Sequence, residues 1–262
     1  MITGVDHVAI AVHDLPAARA AYEALLGAAA TAAETHDGIT SQLIGVSNTS
    51  VELMSATGEG EAAQRLHAAV AAEGEGLKSL VFAVDDIAGA HQRCERVGLA
   101  PEQVIERPAF ARFRLASAAT RGMRLFLLHR RHALEGAAHV GLDHVVIRTS
   151  DAEQAAALYG ARLGLSMRLD REIAGRRLMF FRCGDAVVEL ACEPGDGSRD
   201  QLWGVSWRIA DAGAERARLG DAGFDVSQVR PGKKPGTQVF TVRGGTFGVP
   251  TLMIEPAARR CD

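Results

Sequence analysis

Apolar and polar residues alternate with the period of a β-strand in His7-Val8-Ala9-Ile10-Ala11-Val12, and the period then lengthens to that of a helix. Asp14 stands where it can cap this helix, Pro16 falls near its first turn and Gly27 closes it. Three short strand-like runs follow, at 31–35, 41–45 and 49–54, separated by the turn formers His36-Asp37-Gly38 and Ser47-Asn48. The order is βαβββ. It returns with a strand at 78–84, a helix over 87–97 ended by Gly98, and strands at 102–106, 110–116 and 123–128. A third copy begins at Asp143, with a helix over 151–163 and strands that include 178–182 and 186–191. The fourth has a strand at 204–209, a helix over 212–222 and strands at 226–229, 238–242 and 251–254, with Gly223 standing 125 residues after Gly98.

The copies also share polar residues. Asp6-His7 returns as Asp143-His144, and Val51-Glu52-Leu53 as Val188-Glu189-Leu190, both at an offset of 137 that also links Asp14 to Asp151, Tyr22 to Tyr159 and Gly27 to Gly164. A repeat that keeps an imidazole and a carboxylate on its strands duplicates a half-site as well as a fold. The polar stretch 130–140 divides the chain into domains at 1–130 (modules 1–56 and 75–130) and 141–258 (modules 141–194 and 201–258). Residues 59–73 read as a helix with no equally long counterpart after Glu189. The expected fold is α+β: four βαβββ modules forming two cup-shaped, open-barrel mixed β-sheets, with helices packed outside.

Composition narrows the partners. With 29 basic against 32 acidic residues and a net charge of −3, no general field draws nucleic acid or an anionic membrane, which leaves small molecules. No apolar run approaches the roughly 18 residues of a membrane span, and the opening MITGVDH lacks the basic start and apolar core of a signal peptide, so a cytoplasmic protein is expected. The cysteines at 94, 183, 192 and 261 form no CxxC pair and read as reduced thiols, with Cys183 and Cys192 on neighbouring strands where they could approach. Trp203 and Trp207 share one side of a strand, as core or as the aromatic wall of a pocket. Arg112, Arg114, Arg176 and Arg177 are assigned to the surface, and the loop 230–237, with Arg230, Lys233 and Lys234, to a solvated hairpin that could otherwise grip a phosphate or carboxylate.

The opening DHVAIAV, the helix ending in a glycine, the VEL strand and the run GEGLKSLVFAVDDI together resemble the vicinal oxygen chelate (glyoxalase/bleomycin-resistance/dioxygenase-like) superfamily over nearly the whole chain. The first half is most similar to methylmalonyl-CoA epimerases. The resemblance implies paired modules that form open cups, with metal ligands on the first and last strand of a module: His7, Glu52, His144 and Glu189. It implies a divalent ion (Zn, Ni, Co, Mn or Fe), a small oxygen-chelating substrate, and lyase or isomerase chemistry, possibly of epimerase type, in which Glu52 or Glu189 takes a proton next to a carbonyl. A homodimer would be ordinary for such a protein.

The sequence departs from that pattern in its even-numbered modules. Ser79 and Gly204 stand where a ligand histidine is expected, the strand Arg124-Leu125-Phe126-Leu127-Leu128 carries no carboxylate, and Glu255 would serve only after a slip in register. Extradiol dioxygenase activity is disfavoured because Gly204, or Ser206 in another register, replaces its second histidine. If sequential modules pair, each cup holds one histidine and one glutamate, short of the three or four protein ligands usual for zinc. If modules one and three face each other, all four converge. A metal-free small-molecule binding protein of the same fold is the competing reading.

Overall fold

The computed structural model describes residues 1–132, 139–197 and 199–258, so Cys261 and most of the central linker lie outside the described residues. The first module comprises β1 (Ile2–Ala11), α1 (Leu15–Leu26), β2 (Glu34–His36), β3 (Ile39–Gly45) and β4 (Ser50–Ala56). After α2 (Glu61–Glu73), the second comprises β5 (Gly76–Val84), α3 (Ile87–Arg96), β6 (Ile105–Glu106), β7 (Phe110–Arg114) and β8 (Leu125–Arg130). The third has β9 (Gly141–Thr149), α4 (Ala152–Ala156) continued by a π-helical turn (Ala157–Arg162), β10 (Ser166–Ile173), β11 (Arg176–Cys183) and β12 (Ala186–Cys192). The fourth has β13 (Gln201–Arg208), α5 (Ala212–Asp221), β14 (Arg230–Pro231), β15 (Gln238–Val242) and β16 (Thr251–Glu255).

Two mixed eight-stranded sheets result, ordered β2-β3-β4-β1-β5-β8-β7-β6 and β10-β11-β12-β9-β13-β16-β15-β14. This is the expected α+β fold of cup-shaped sheets, and each sheet joins sequential modules. Compactness divides the chain differently: one unit is built mainly from the second and third modules, the other mainly from the first and fourth. No helix among the described residues is long and apolar enough to cross a membrane.

The helices start where an aspartate can cap them. Asp14, Asp86, Asp151 and Asp211 each accept a hydrogen bond from the backbone N–H three residues on, at 2.9–3.0 Å. Each such cap stabilises its helix by about 1 kcal/mol. Gly27, Gly98, Gly164 and Gly223 all take positive φ, between 67° and 88°, where the chain leaves the helix.

Several strands differ from the sequence reading. The run 31–35 pairs as a strand only from Glu34, although Thr31 N–H still bonds to Leu43 O at 2.8 Å. The run 226–229 makes a single bridge, Val226 to Val242, and its strand is the short β14. β10 was not legible because nearly every side chain on it is exposed and polar residues interrupt any apolar period. Cys183 lies opposite Ala186 at the tip of the β11–β12 hairpin, whereas Cys192 lies opposite Thr149 of β9, so neighbouring strands do not bring the two thiols together. The three described cysteines are free.

Arginines tie helix ends together inside each compact unit. The last carbonyls of a helix have no partner within it. Arg218 of α5 donates to Ala24 O at 2.7 Å and Leu25 O at 2.9 Å at the end of α1. Arg93, 125 residues earlier, makes the equivalent bond to Ala161 O at 3.4 Å, and Ala161 stands 137 residues after Ala24. Arg162 returns the contact, donating to Val97 O at 3.0 Å, Ala119 O at 3.1 Å and Gly98 O. The buried Glu215 accepts from Arg218 at 2.6 Å and holds it in place. Replacing Arg218 with Ala should cost about 2–3 kcal/mol, because bonds from a charged donor are lost and Glu215 loses its main counter-charge. Urea denaturation reads this as a lower midpoint that Arg218→Lys only partly restores, since lysine lacks the fork; an unchanged midpoint would remove the clasp from the stability of that unit.

Candidate active site on the third module

β12 runs parallel to β9 with Val187 opposite His144 and Glu189 opposite Val146. Alternation therefore puts His144 and Glu189 on one face of the sheet. His144 Nε2 lies 3.4 Å from Glu189 Oε2, and each side chain keeps 15% of its surface exposed. The other face carries Val145, Ile147, Val188, Leu190, Met179 and Phe181, all fully buried, and the Tyr159 ring of the π-helical turn packs 6.4 Å from Phe181.

The His144 face is lined differently. Val146, Leu178 and Ala191 form a small apolar cluster, with Ile173, Phe180 and Trp203 packed against it at its edge. Arg148 places its guanidinium 4.2 Å from the centre of the Trp203 ring. Glu193 then bridges Arg148 at 3.4 Å and Arg176 at 3.0 Å. A partly exposed imidazole–carboxylate pair is thus set among apolar side chains, with Phe180 and Trp203 beside them and the Arg148 guanidinium against Trp203. Trp203 is the wall and Trp207, fully buried, is core, which separates the two roles the sequence left open. Arg148 stands on β9, and nothing in the alternation of that strand sets it apart as a site residue.

The first module treats its copy of the pair in another way. His7 is almost entirely buried, with 4% of its side chain exposed, and its Nδ1 lies 2.6 Å from Asp6 Oδ1. Arg130 grips the same carboxylate through Nε at 3.0 Å and Nη2 at 2.6 Å. Glu52 is half-buried opposite Leu43 in the β3–β4 ladder. Further along, Leu66 and Val70 of α2 pack on Ala11, with Ile39, Met54 and Ala56 around them. At the offset of 137, Ala11, Ile39 and Ala56 answer to Arg148, Arg176 and Glu193. Positions that are apolar under α2 in the first module are charged and partly solvated in the third, which has no such helix.

The four candidate ligands are divided between the sheets, His7 and Glu52 in the first, His144 and Glu189 in the second. Among the described residues no group of three or more His, Cys, Asp or Glu is placed to hold a metal ion. Among the described residues, the positions of the fourth module that match the ligands offer no third donor. A Cβ on Gly204 would stand 2.8 Å from Pro250 O, so the position that would need a histidine is closed to any side chain without a backbone shift. Glu255 pairs opposite Gln238 and accepts the Ala212 N–H at 2.8 Å. Two donors do not fit the three or four that hold a divalent transition metal.

Other sequence assignments resolve simply. Lys233 and Lys234 are exposed on the β14–β15 hairpin, as a solvated loop would have them. Arg112 is half-buried: its guanidinium lies 5.4 Å from the Phe110 ring and 5.6 Å from the Phe126 ring, with Nε buried. Arg114 donates to Ser117 Oγ at 2.9 Å and lies 3.6 Å from Glu102.

Residues 5–139 match the family model of a glyoxalase-like domain, and residues 143–241 match that of the glyoxalase/bleomycin resistance protein/dioxygenase superfamily. No curated protein sequence matches the chain. Among solved structures, a mutant of 4-hydroxymandelate synthase from Streptomyces coelicolor is similar with a TM-score of 0.75 at 15% identity, over 99% of this chain and 94% of its own. A halotolerant catechol dioxygenase gives 0.68 at 12% identity, over 100% of this chain and 89% of its own. Methylmalonyl-CoA epimerase from Mycobacterium tuberculosis covers 50% of this chain and 90% of its own at 24% identity, with a TM-score of 0.46. At these identities the likeness is one of fold.

The Asp6 cluster yields a pH signature. Burial raises the Asp6 carboxyl pKa, but hydrogen bonds from His7 and Arg130 outweigh it and hold the group at about 2. A carboxyl depressed in the folded state stabilises it above the unfolded pKa, and that contribution is lost as pH falls through the folded value. Wild-type stability should therefore drop between about pH 4 and pH 2 by about 2 kcal/mol more than that of Asp6→Asn. Equal pH slopes for the two proteins in chemical denaturation would contradict the assignment.

Proposed function

The chain belongs to the glyoxalase-like, vicinal oxygen chelate superfamily, and from that premise we propose that it moves a proton at a carbon next to a carbonyl, on a small oxygenated molecule held against the His144 face. The carrying observation is the contrast between the two copies of the pair: His144 and Glu189 lie together with 15% of each side chain exposed, while His7 keeps 4% and is buried against Asp6.

In this reading Glu189 is the base. Its carboxylate takes the proton from carbon, the C–H electron pair moves onto the carbonyl oxygen as an enolate, and the His144 imidazole shares or returns the proton, so reprotonation gives an isomer or epimer. Trp203 and Phe180 wall the site and lower the local dielectric, which strengthens every charge interaction inside it. Arg148 offers a guanidinium for a carboxylate or other anionic group of the substrate. Superfamily relatives commonly use a divalent ion for enolate stabilisation, but the two donors here do not make its site and no step is assigned to one.

A second reading is a small-molecule binding protein, favoured by the same shortage of metal donors and by the apolar wall. One experiment separates them. The full chain is incubated in D2O with small 2-oxo acids, 2-hydroxy acids and 2-methyl thioesters, and deuterium entry beside the carbonyl is followed by NMR. Glu189→Gln and His144→Ala should slow exchange by about 10²–10⁴-fold, while folded His7→Gln stays within a few-fold of wild type. Loss in His7→Gln with retention in Glu189→Gln would place the chemistry in the first module instead. Saturable binding without exchange in wild type would make the protein a binder.

A further inference from the structure

An open recess of about 480 Å³, in the size range of small-molecule sites, shares no lining residue with the His144 face and carries four arginines: Arg114, Arg121, Arg124 and Arg199. It is built rather than incidental. β7 ends at Arg114, and the chain then makes a 3-10 turn over Ser117–Thr120, pinned by Thr120 Oγ1, which donates to the Met123 carbonyl at 2.7 Å. Positive φ at Arg121 (55°) and Gly122 (82°) reverses the backbone at the floor of the recess. Glycine is favoured at 122 by that positive φ, and the Arg199 side chain packs close over it.

Arg121 locks this turn to the segment that carries Arg199. Its side chain is nine-tenths buried; Nε bonds to Asp200 Oδ1 at 3.0 Å and Nη2 to Gly197 O at 2.9 Å, while Asp200 N–H returns to Arg121 O at 2.8 Å. Asp151 lies 3.9 Å away. Arg114 is braced by Ser117 Oγ, with the exposed Glu102 at 3.6 Å. Among the described residues, none of those lining the recess is acidic, although the chain as a whole carries a net charge of −3. A guanidinium has five N–H donors, so an arginine braced by one partner still presents others.

We propose that this recess binds a phosphate-bearing small molecule through its phosphoryl oxygens. Guanidinium forks suit both carboxylate and phosphate, and several of them converging on one recess match the oxygens of a multiply charged phosphoryl group better than those of a single carboxylate.

Inorganic pyrophosphate is the first probe, titrated calorimetrically into the full chain at low salt, with orthophosphate and citrate alongside. Saturable binding of pyrophosphate is expected, at least tenfold tighter than of citrate, and weakened by added salt. Arg124→Gln with Arg199→Gln should weaken it at least tenfold, and Arg96→Gln, an exposed arginine on α3, should leave it unchanged. If the folded double variant melts early, Arg199→Gln alone, at an exposed position, provides the comparison. The proposal is overturned by the absence of saturable binding, by citrate binding as tightly as pyrophosphate, or by unchanged affinity in folded Arg199→Gln and in the double variant. The Glu189→Gln protein should bind pyrophosphate normally, so this site and the proton-transfer reading stand or fall separately.

Discussion

The parallel register of β12 against β9 is the constraint on which the third module's chemistry depends. With Glu189 opposite Val146 and Val187 opposite His144, the imidazole and the carboxylate emerge on the same face, diagonal neighbours 3.4 Å apart. A slip of one residue would turn Glu189 into the face occupied by Val188 and Leu190, which are fully buried. Burying an unpaired carboxylate there would cost several kcal/mol. The apolar face that packs under Tyr159 and the polar pair on the opposite face therefore enforce each other.

Duplication then took the two odd-numbered modules in different directions. The first keeps the histidine but builds it into a buried group with Asp6 and Arg130, and places α2 on Ala11, Ile39 and Ala56. The third keeps the pair accessible and puts Arg148, Arg176 and Glu193 at the matching positions. In the fourth module the matching positions serve packing: the Gly204 backbone lies against Pro250, and Glu255 accepts a hydrogen bond from the N-terminal turn of α5. The arginines of the even-numbered modules supply structure, with Arg93 and Arg218 holding the ends of the helices in modules three and one.

Much of this was legible in the sequence because it is local. The βαβββ order, the capping Asp14, the glycines that end the helices and the extra helix between Glu59 and Glu73 are written in short-range periodicity and spacing. Less local features were not. The clasp between Arg218 and Ala24 spans 194 residues and leaves no periodic trace. Strands β6 and β14, of two residues each, are too short to show alternation. Module pairing was open because the residue pattern serves either arrangement, and the sheets settle it in favour of sequential modules. The three apolar-to-charged exchanges at an offset of 137 were visible in the chain, but only α2 lying on the apolar set gives them meaning.

The most direct test of a working third module beside a closed first one is an NMR titration of the imidazole resonances, assigned through His7→Gln and His144→Gln, with a panel of small oxygenated acids. Binding compounds should move the His144 ring signals and the Trp203 indole signal together and saturably, leaving His7 where it was. Movement of His7 with a stationary His144 would contradict the assignment of the site to the third module.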